Sequence, residues 1–186
     1  MVIKKIFLMF LFFATLQLHA DKKAIGFTVD FLPTIMSATE GELGFSGQTW
    51  FVANHNRVRA VGAFFQLPEM VVDNNKFQNQ NMKVVALIYD YIFGKNIDGF
   101  WIGTGVEFWF NEITEKETNE SKNWNNVVYT IGGGYIYKFY KNFYIEPWCA
   151  AHLVINNDNI TINSNKYQPK SIQGEISLKI GWHFDL

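Results

Sequence analysis

The sequence predicts an all-β fold, in which eight antiparallel strands connected up and down close into a single barrel. Three observations favour this fold. Eight segments alternate apolar and polar residues with a period of two, which is typical of strands with two different faces. The connections between them alternate between short and long. No apolar stripe with helical spacing follows the first 20 residues.

The last 16 residues, from Ser171 to Leu186, show the alternation most clearly. The polar face of this segment carries Glu175 and Lys179 in its middle. A two-stranded ribbon cannot give such a strand two different environments, so the strand is expected to belong to a larger sheet. The other face is apolar and holds Ile172, Gly174, Ile176, Leu178, Ile180, Trp182 and Phe184.

Residues 1–20 have the composition of a signal peptide. Lys4 and Lys5 precede an apolar run from Ile6 to Leu18, and a cleavage site follows Ala20. The run is too short for a membrane helix, which needs roughly 20 residues. We therefore expect secretion, followed by removal of the signal and folding of residues 21–186 as one barrel domain.

The eight predicted strands share alternating apolar positions. Even-numbered connections, at residues 54–56, 94–99 and 140–142, are short, whereas residues 68–81, 111–126 and 156–170 form long polar loops. Bacterial outer-membrane barrels show the same asymmetry, with short periplasmic turns and longer outer loops. The strands are predicted at residues 24–31, 45–53, 58–67, 82–93, 100–110, 127–139, 143–155 and 171–186.

The apolar face is predicted to meet lipid, because the polar face has the features of a crowded interior. Glycine recurs on it, and Gly134 should leave room for Trp148 on the next strand. Lys138 and Glu146 should be diagonal neighbours there. Paired charges suit an eight-stranded lumen, which side chains fill. The predicted interior polar network comprises Asp30, Glu107, Lys138, Glu146, His152, Glu175 and Lys179.

Aromatic residues on the apolar face gather beside the short connections. Such a girdle marks the level at which a membrane meets water. A soluble periplasmic binding barrel, with its apolar face inside, is the alternative that alternation alone leaves open. The girdle comprises Tyr91, Phe93, Phe100, Tyr137, Phe139, Phe143, Trp182 and Phe184.

Over residues 24–186 the chain resembles, in architecture, the small outer-membrane barrels of the OmpA transmembrane domain, OmpX and OmpW type. Its terminal strand, with Trp182 and Phe184 near the end, is the most specific part. The resemblance implies the outer membrane of a Gram-negative bacterium and contact with lipid and lipopolysaccharide. It also implies that the outer-membrane assembly machinery reads the segment from Ser171 to Leu186, although the chain ends on Leu186 and not on the usual aromatic residue.

No catalytic residue is predicted. After signal removal the histidines are His55, His152 and His183, and none has a serine two positions later, unlike the similar-sized barrels that modify lipid A. His152 shares a face with Glu146, but no nucleophile completes a triad, and Cys149 lies on the opposite face. We expect a protein without enzymatic activity, with lipid A modification as an alternative.

The remaining composition excludes several other classes of function. Sixteen basic and 17 acidic residues form no basic patch, so nucleic acid is not an expected partner. A single cysteine excludes an intrachain disulfide. The Asn-rich segments at 73–75 and 156–159 offer oxygen ligands but lack the spacing of a calcium loop, so no metal and no cofactor is expected.

We therefore expect an outer-membrane barrel with a structural or surface-interaction role. Phe77, Trp124 and Tyr167 stand among polar loop residues. They could contact a surface partner or fold onto the barrel rim. The alternative is a channel or carrier for small hydrophobic molecules, as the resemblance to OmpW implies. Its route would be lined or plugged by Trp101, Trp109 and Trp148.

Overall fold

A computed structural model describes residues 22–31, 44–67, 76–94, 97–157 and 159–186. The predicted signal peptide lies outside these residues, as do residues 68–75 of the predicted loop at 68–81. No helix in the described ranges is long and apolar enough to cross a membrane. The strands are β1 (Lys23–Asp30), β2 (Gly44–Ala53), β3 (Asn56–Leu67), β4 (Phe77–Ile92), β5 (Gly99–Glu115), β6 (Ser121–Tyr140), β7 (Phe143–Val154), β8 (Ile160–Ile162), β9 (Asn165–Tyr167) and β10 (Ile172–Asp185).

Eight of these strands close into an antiparallel barrel in the order β1, β10, β7, β6, β5, β4, β3, β2. The first and last strands complete the ring, with Ala24 opposite Asp185 and Asp30 opposite Lys179. Closure matters because a closed sheet has no edge strand with unpaired backbone groups. The predicted eight-stranded up-and-down barrel is confirmed.

Burial alternates along the strands in the predicted sense. On β10 the side chains of Ile176 and Leu178 are 78% and 43% exposed, whereas Ser177 and Lys179 are each 4% exposed. The apolar face therefore points away from the barrel and the polar face lines its lumen. This orientation follows from the two-residue period of a strand, which sends neighbouring side chains to opposite faces.

The end of the barrel that holds both described termini also holds the short turns, and we call it the short-turn end. Two-residue turns join β2 to β3 and β6 to β7. Asn54 and Lys141 in these turns have positive φ, at 55° and 47°. Asn adopts the left-handed conformation more readily than most residues. Gly99, with φ of 105°, begins β5 in a conformation that favours glycine.

At the opposite end, β4, β5 and β6 run well past their neighbours. They contain 16, 17 and 20 residues, compared with 8 in β1. The predicted loop at 111–126 is therefore wrong, since only residues 116–120 are left between β5 and β6. These extensions lie beyond the part of the barrel that has an apolar outer surface. The alternation of apolar and polar residues that marks strands in the sequence therefore disappears there.

The other two long connections also contain strand. Residues 77–81, expected in a loop, begin β4, and the predicted loop at 156–170 contains the hairpin of β8 and β9. We use the name projection for residues 77–81, 111–126 and 160–167. Its core consists of Phe77, Ile113, Ile160, Ile162 and Tyr167, with Trp124 packed against them.

Candidate functional site in the barrel lumen

Four charged side chains form a layer across the lumen near the short-turn end. Arg57 donates from Nε to Asp90 at 2.7 Å and from Nη2 to Glu146 at 2.8 Å. Arg59 donates from Nε and Nη2 to the same Asp90 at 2.7 and 2.9 Å. Two guanidinium groups thus face two carboxylates, as buried charges require. We call these four residues the ion-pair floor.

An aromatic plug lies on the short-turn side of this floor. The Arg57 and Arg59 guanidinium carbons lie 5.1 and 4.8 Å from the centroid of the Trp101 ring. The Tyr144 hydroxyl accepts a hydrogen bond from Trp50 Nε1 at 2.7 Å and lies 2.6 Å from Thr28 Oγ1. Around these rings pack Ala24, Val52, Ile92 and Ile136. Floor and plug together fill the lumen at this end.

Two glycines provide the space that these side chains occupy. A Cβ at Gly103 would overlap the Asp90 carboxylate, which lies against the Gly103 backbone. A Cβ at Gly134 would lie 2.9 Å from Trp148 Cβ and 2.9 Å from Trp101 Nε1. Gly134 is directly opposite Trp148, as the sequence predicts. Missing side chains on the lumenal face therefore compensate for large ones.

A second polar cluster lies farther from the short-turn end. Thr130 Oγ1 donates to Glu107 at 2.7 Å and lies 2.9 Å from His152 Nδ1, while His152 Nε2 lies 3.0 Å from Glu175. The hydroxyl, imidazole and carboxylate resemble a catalytic triad in order. A hydroxyl has only one proton, however, and here Glu107 accepts it. His152 also has a carboxylate near each nitrogen, so neither nitrogen is free to act as a base.

A third cluster joins β10 to β1 and β7. Asp30 accepts hydrogen bonds from Ser177 Oγ and from Trp148 Nε1, the latter at 3.2 Å. Lys179 Nζ lies 3.6 Å from the centroid of the Trp148 ring, within the range of a cation–π contact. These residues occupy the wall between the ion-pair floor and the second cluster.

The residues of the predicted interior network all lie on the lumenal face. Asp30, Glu107, Glu146, His152 and Lys179 are buried, and Glu175 and Lys138 are partly exposed. Lys138 and Glu146 do not pair as neighbours. Lys138 Nζ lies 3.3 Å from His183 Nε2, and Glu146 binds Arg57. An eight-stranded lumen is narrow enough for long side chains to pair across it. The register of adjacent strands identifies partners on those strands only, so it does not predict pairs across the lumen.

Sequence reasoning missed the centre of the ion-pair floor. Arg57 and Arg59 occupy alternate positions of β3, and Asp90 lies between two outward tyrosines of β4. The two-residue period places all three side chains in the lumen. Charges at alternate positions within an apolar strand were therefore a usable signal for these residues.

Above the ion-pair floor the lumen contains a cavity of about 360 Å³. One wall is apolar because β4 is apolar on both of its faces between residues 84 and 88. The opposite wall is polar and includes the second and third clusters. Apolar lining residues include Val61, Ala63, Phe65, Met82, Val84, Ala86, Ile88 and Trp109, and polar ones include Ser46, Glu107, Thr130, His152, Glu175, Ser177 and Lys179.

Solved structures have the same architecture. The N-terminal β-barrel domain of Pseudomonas aeruginosa OprF matches with a TM-score of 0.54 and 14% identity, over 89% of this chain and 98% of that one. Neisserial surface protein A gives 0.50 and 12%, over 88% and 95%. A major outer membrane protein from Thermus thermophilus gives 0.50 and 16%, over 89% and 100%. No protein-family model and no curated protein sequence matches the chain.

The chain has the fold of the small outer-membrane β-barrels. On this barrel the residues of the predicted girdle lie outside, at the short-turn end. Phe143 packs edge to face against Trp182 with ring centroids 4.0 Å apart, and Phe139 stacks on Phe143 at 6.3 Å. Phe93 and Phe100 are exposed beside the turn that joins β4 to β5. The aromatic residues thus form contacts across several strands around this end.

The three loop aromatics pack against one another inside the projection of the barrel. Phe77 and Tyr167 have ring centroids 5.6 Å apart, and Trp124 and Tyr167 are 5.8 Å apart. Phe77 is fully buried and Tyr167 is buried. The alternative of surface contact is therefore wrong for these two rings, because they lie in the core between the hairpin of β8 and β9 and the ends of β4 and β5. Trp124 is partly buried in the same contact.

A carboxylate fastens this hairpin to the barrel. Glu115, at the end of β5, accepts hydrogen bonds from the side chains of Thr118, Asn165 and Asn163. These bonds, with that from Thr118 the largest contribution, lower the pKa of Glu115 below its ordinary value. The ionised carboxylate therefore stabilises the hairpin against the turn between β5 and β6.

Of the Asn-rich segments, residues 73–75 and Asp158 lie outside the described ranges. Asn156 Oδ1 accepts from the Val127 backbone at 2.6 Å, and Asn157 Nδ2 donates to the Pro169 carbonyl at 2.8 Å. These two side chains therefore hold the β7–β8 connection. Within the described chain no three His, Cys, Asp or Glu side chains are grouped as metal ligands.

Proposed function

We propose that this chain is an integral outer-membrane protein of a Gram-negative bacterium, with a structural or surface-interaction role. The exposed apolar belt of the barrel carries this proposal. Water would meet a continuous apolar surface there, which soluble monomers rarely expose, whereas acyl chains match it. The belt includes Ile25, Phe27, Val85, Leu87, Ile102, Val106, Phe108, Ile131, Ile176, Leu178 and Ile180.

The short-turn end is proposed to face the periplasm and the projection to face the cell exterior. This orientation follows the rule that outer-membrane barrels have short periplasmic turns and longer external segments. We expect the assembly machinery to recognise the segment from Ser171 to Leu186, where Phe184 is exposed on the outer face. Lipid and lipopolysaccharide would then surround the belt, and the projection would be the surface available to a partner.

The contents of the lumen favour a structural or surface role over conduction. The ion-pair floor and the plug of Trp50, Trp101 and Tyr144 fill the short-turn end. An ion would have to displace buried, paired charges to pass, at a cost of several kcal/mol each. We therefore propose that the barrel does not conduct ions.

A carrier for small hydrophobic molecules is the second candidate function. The apolar wall of β3 and β4 supports it, because inward residues such as Val84 and Ile88 line the cavity. The floor closes this cavity toward the short-turn end, so release into the periplasm would require the floor to rearrange.

Cell fractionation and gel migration test the principal proposal. The protein should fractionate with the outer membrane, begin at residue 21, and migrate differently before and after boiling in detergent. Purified barrels in planar bilayers should show no steady conductance. Recovery in the soluble periplasmic fraction would refute the membrane location, and stable single-channel currents would refute the closed lumen.

A further inference from the structure

Lys179 differs from the other charged residues of the cavity wall. Within the described part of the chain, its ammonium has no hydrogen bond and no carboxylate within 4 Å, and its contact is the Trp148 ring. Its two cross-strand neighbours, Asp30 and Glu146, are already engaged. Asp30 accepts from Ser177 and Trp148, and Glu146 accepts from Arg57.

The ammonium of Lys179 faces the cavity and has no oxygen acceptor among the described residues of the protein. Lys179 is 4% exposed and lines the cavity. An ammonium has three N–H donors, and an aromatic face attracts the charge without supplying an oxygen acceptor. A buried cation of this kind is stabilised when an acceptor reaches it. The cavity is the direction from which such an acceptor can come.

The other charged groups of the wall already have partners. Arg59 is bound to Asp90 and Gln48. Glu107 accepts from Trp109 and Thr130, and Glu175 is paired with His152. Because these carboxylates have donors from the protein and the Lys179 ammonium has no acceptor among the described residues, the wall favours an anionic head group over a cationic one. The carboxylates of Asp30 and Glu146 lie nearby and would repel a second negative charge on the ligand. A head group with one negative charge is therefore favoured over one with two.

The opposite wall of the cavity indicates the chemistry of the rest of the ligand. Met82, Val84 and Ala86 present apolar side chains to the cavity, and burying apolar ligand surface against them is favourable. A volume of about 360 Å³ falls within the range of pockets that bind small molecules.

We propose that the lumenal cavity binds a small amphipathic monoanion, such as a medium-chain carboxylate, with its head group on Lys179 and its apolar body against β3 and β4. This inference deepens the carrier function proposed above and rests on it, since it names the class of molecule that the cavity holds. The ion-pair floor forms the closed bottom of the site.

The test compares three probes with the same chain and different head groups: decanoate, decanol and decylamine. The refolded full-length mature barrel is titrated in a non-ionic detergent, and binding is followed by the indole N–H resonances of Trp148 and Trp109. Decanoate should bind at least about tenfold more tightly than decanol, as expected for a charge-assisted hydrogen bond. Decylamine should bind more weakly than either.

Three variants locate the binding determinants. Lys179→Met should reduce the preference for decanoate over decanol to about one. Ala86→Phe, which fills the cavity, should weaken both probes. Lys138→Met removes a lumenal lysine outside the cavity lining and should keep the wild-type preference. Heat-modifiable migration shows that each variant is folded, and the wild-type comparison of head groups needs no variant.

Equal binding of decanoate and decanol, tighter binding of decylamine, or absence of binding would overturn the inference. So would a decanoate preference that survives Lys179→Met, or binding that survives Ala86→Phe. These outcomes are distinct from failure of the membrane proposal, which fractionation and gel migration decide without any ligand.

Discussion

Asp90 is the residue on which the ion-pair floor depends most. Its carboxylate accepts three hydrogen bonds, one from Arg57 and two from Arg59, and is fully buried. Asp90→Asn preserves the shape of the side chain but leaves two guanidinium groups facing one carboxylate, that of Glu146. The amide nitrogen also turns a donor toward donors.

The expected cost follows from that imbalance. Removing one partner of a buried ion pair typically costs about 3–5 kcal/mol, because the remaining charge stays buried without compensation. Arg59→Met in the same chain restores one cation to one anion. The double variant should therefore be more stable than Asp90→Asn alone, even though Arg59 also loses its bond to Gln48.

Urea-induced unfolding from lipid vesicles, followed by tryptophan fluorescence, measures these free energies by linear extrapolation. Asp185→Asn is the matched control, because this carboxylate is 73% exposed at the end of β10 and its Oδ1 lies 3.5 Å from His183 Nε2. It should change stability by less than about 1 kcal/mol. If the free energy of unfolding of Asp90→Asn is within about 1 kcal/mol of the wild-type value, the charges of the floor do not compensate one another as described.

Three further predictions concern the two barrel faces and the projection. Ile176→Arg should destabilise the barrel in lipid by about 2–4 kcal/mol, whereas Glu175→Gln should fold nearly normally; equal refolding yields would contradict the face assignment. Gly103→Ala should destabilise by displacing the Asp90 carboxylate, and it should have less further effect in an Asp90→Ala background, which removes the overlapping atoms; a double-mutant cycle measures this coupling. The lowered pKa of Glu115 stabilises the hairpin of β8 and β9 above the ordinary value of 4.5; this contribution is lost as pH falls through the lowered value. The Trp124 indole resonance should therefore move in that acid range in the wild type, and a Glu115→Gln variant with an unchanged acid transition would refute the assignment.

The barrel itself was predictable because lipid and lumen impose different chemistry on alternate residues of each strand. On β10, Ile176 and Lys179 differ in parity, and this difference alone assigns their faces. The same rule fails in the projection. Residues 111–115 and 121–126 have no lipid-facing side, so polar residues occupy both faces and the strands look like a loop.

The lumenal site shows the same limit in another form. Parity places Arg57, Asp90 and Glu146 inside, yet nothing in the order of residues shows that Arg57 reaches Glu146, 89 positions away. The apolar inner wall on β4 was equally unpredictable. A strand that is apolar on both faces lacks the alternation that assigns residues to the lipid or to the lumen.

The order of residues is therefore enough to specify the class of fold, the number of barrel strands and the side of each strand that faces outward, because these follow from a local period of two. The pairing of the buried charges, the ammonium left without an acceptor and the meeting of an apolar wall with a polar one become visible only in three dimensions. Closing eight strands into a narrow ring brings distant side chains within hydrogen-bonding distance across the lumen, and no local pattern records those distances.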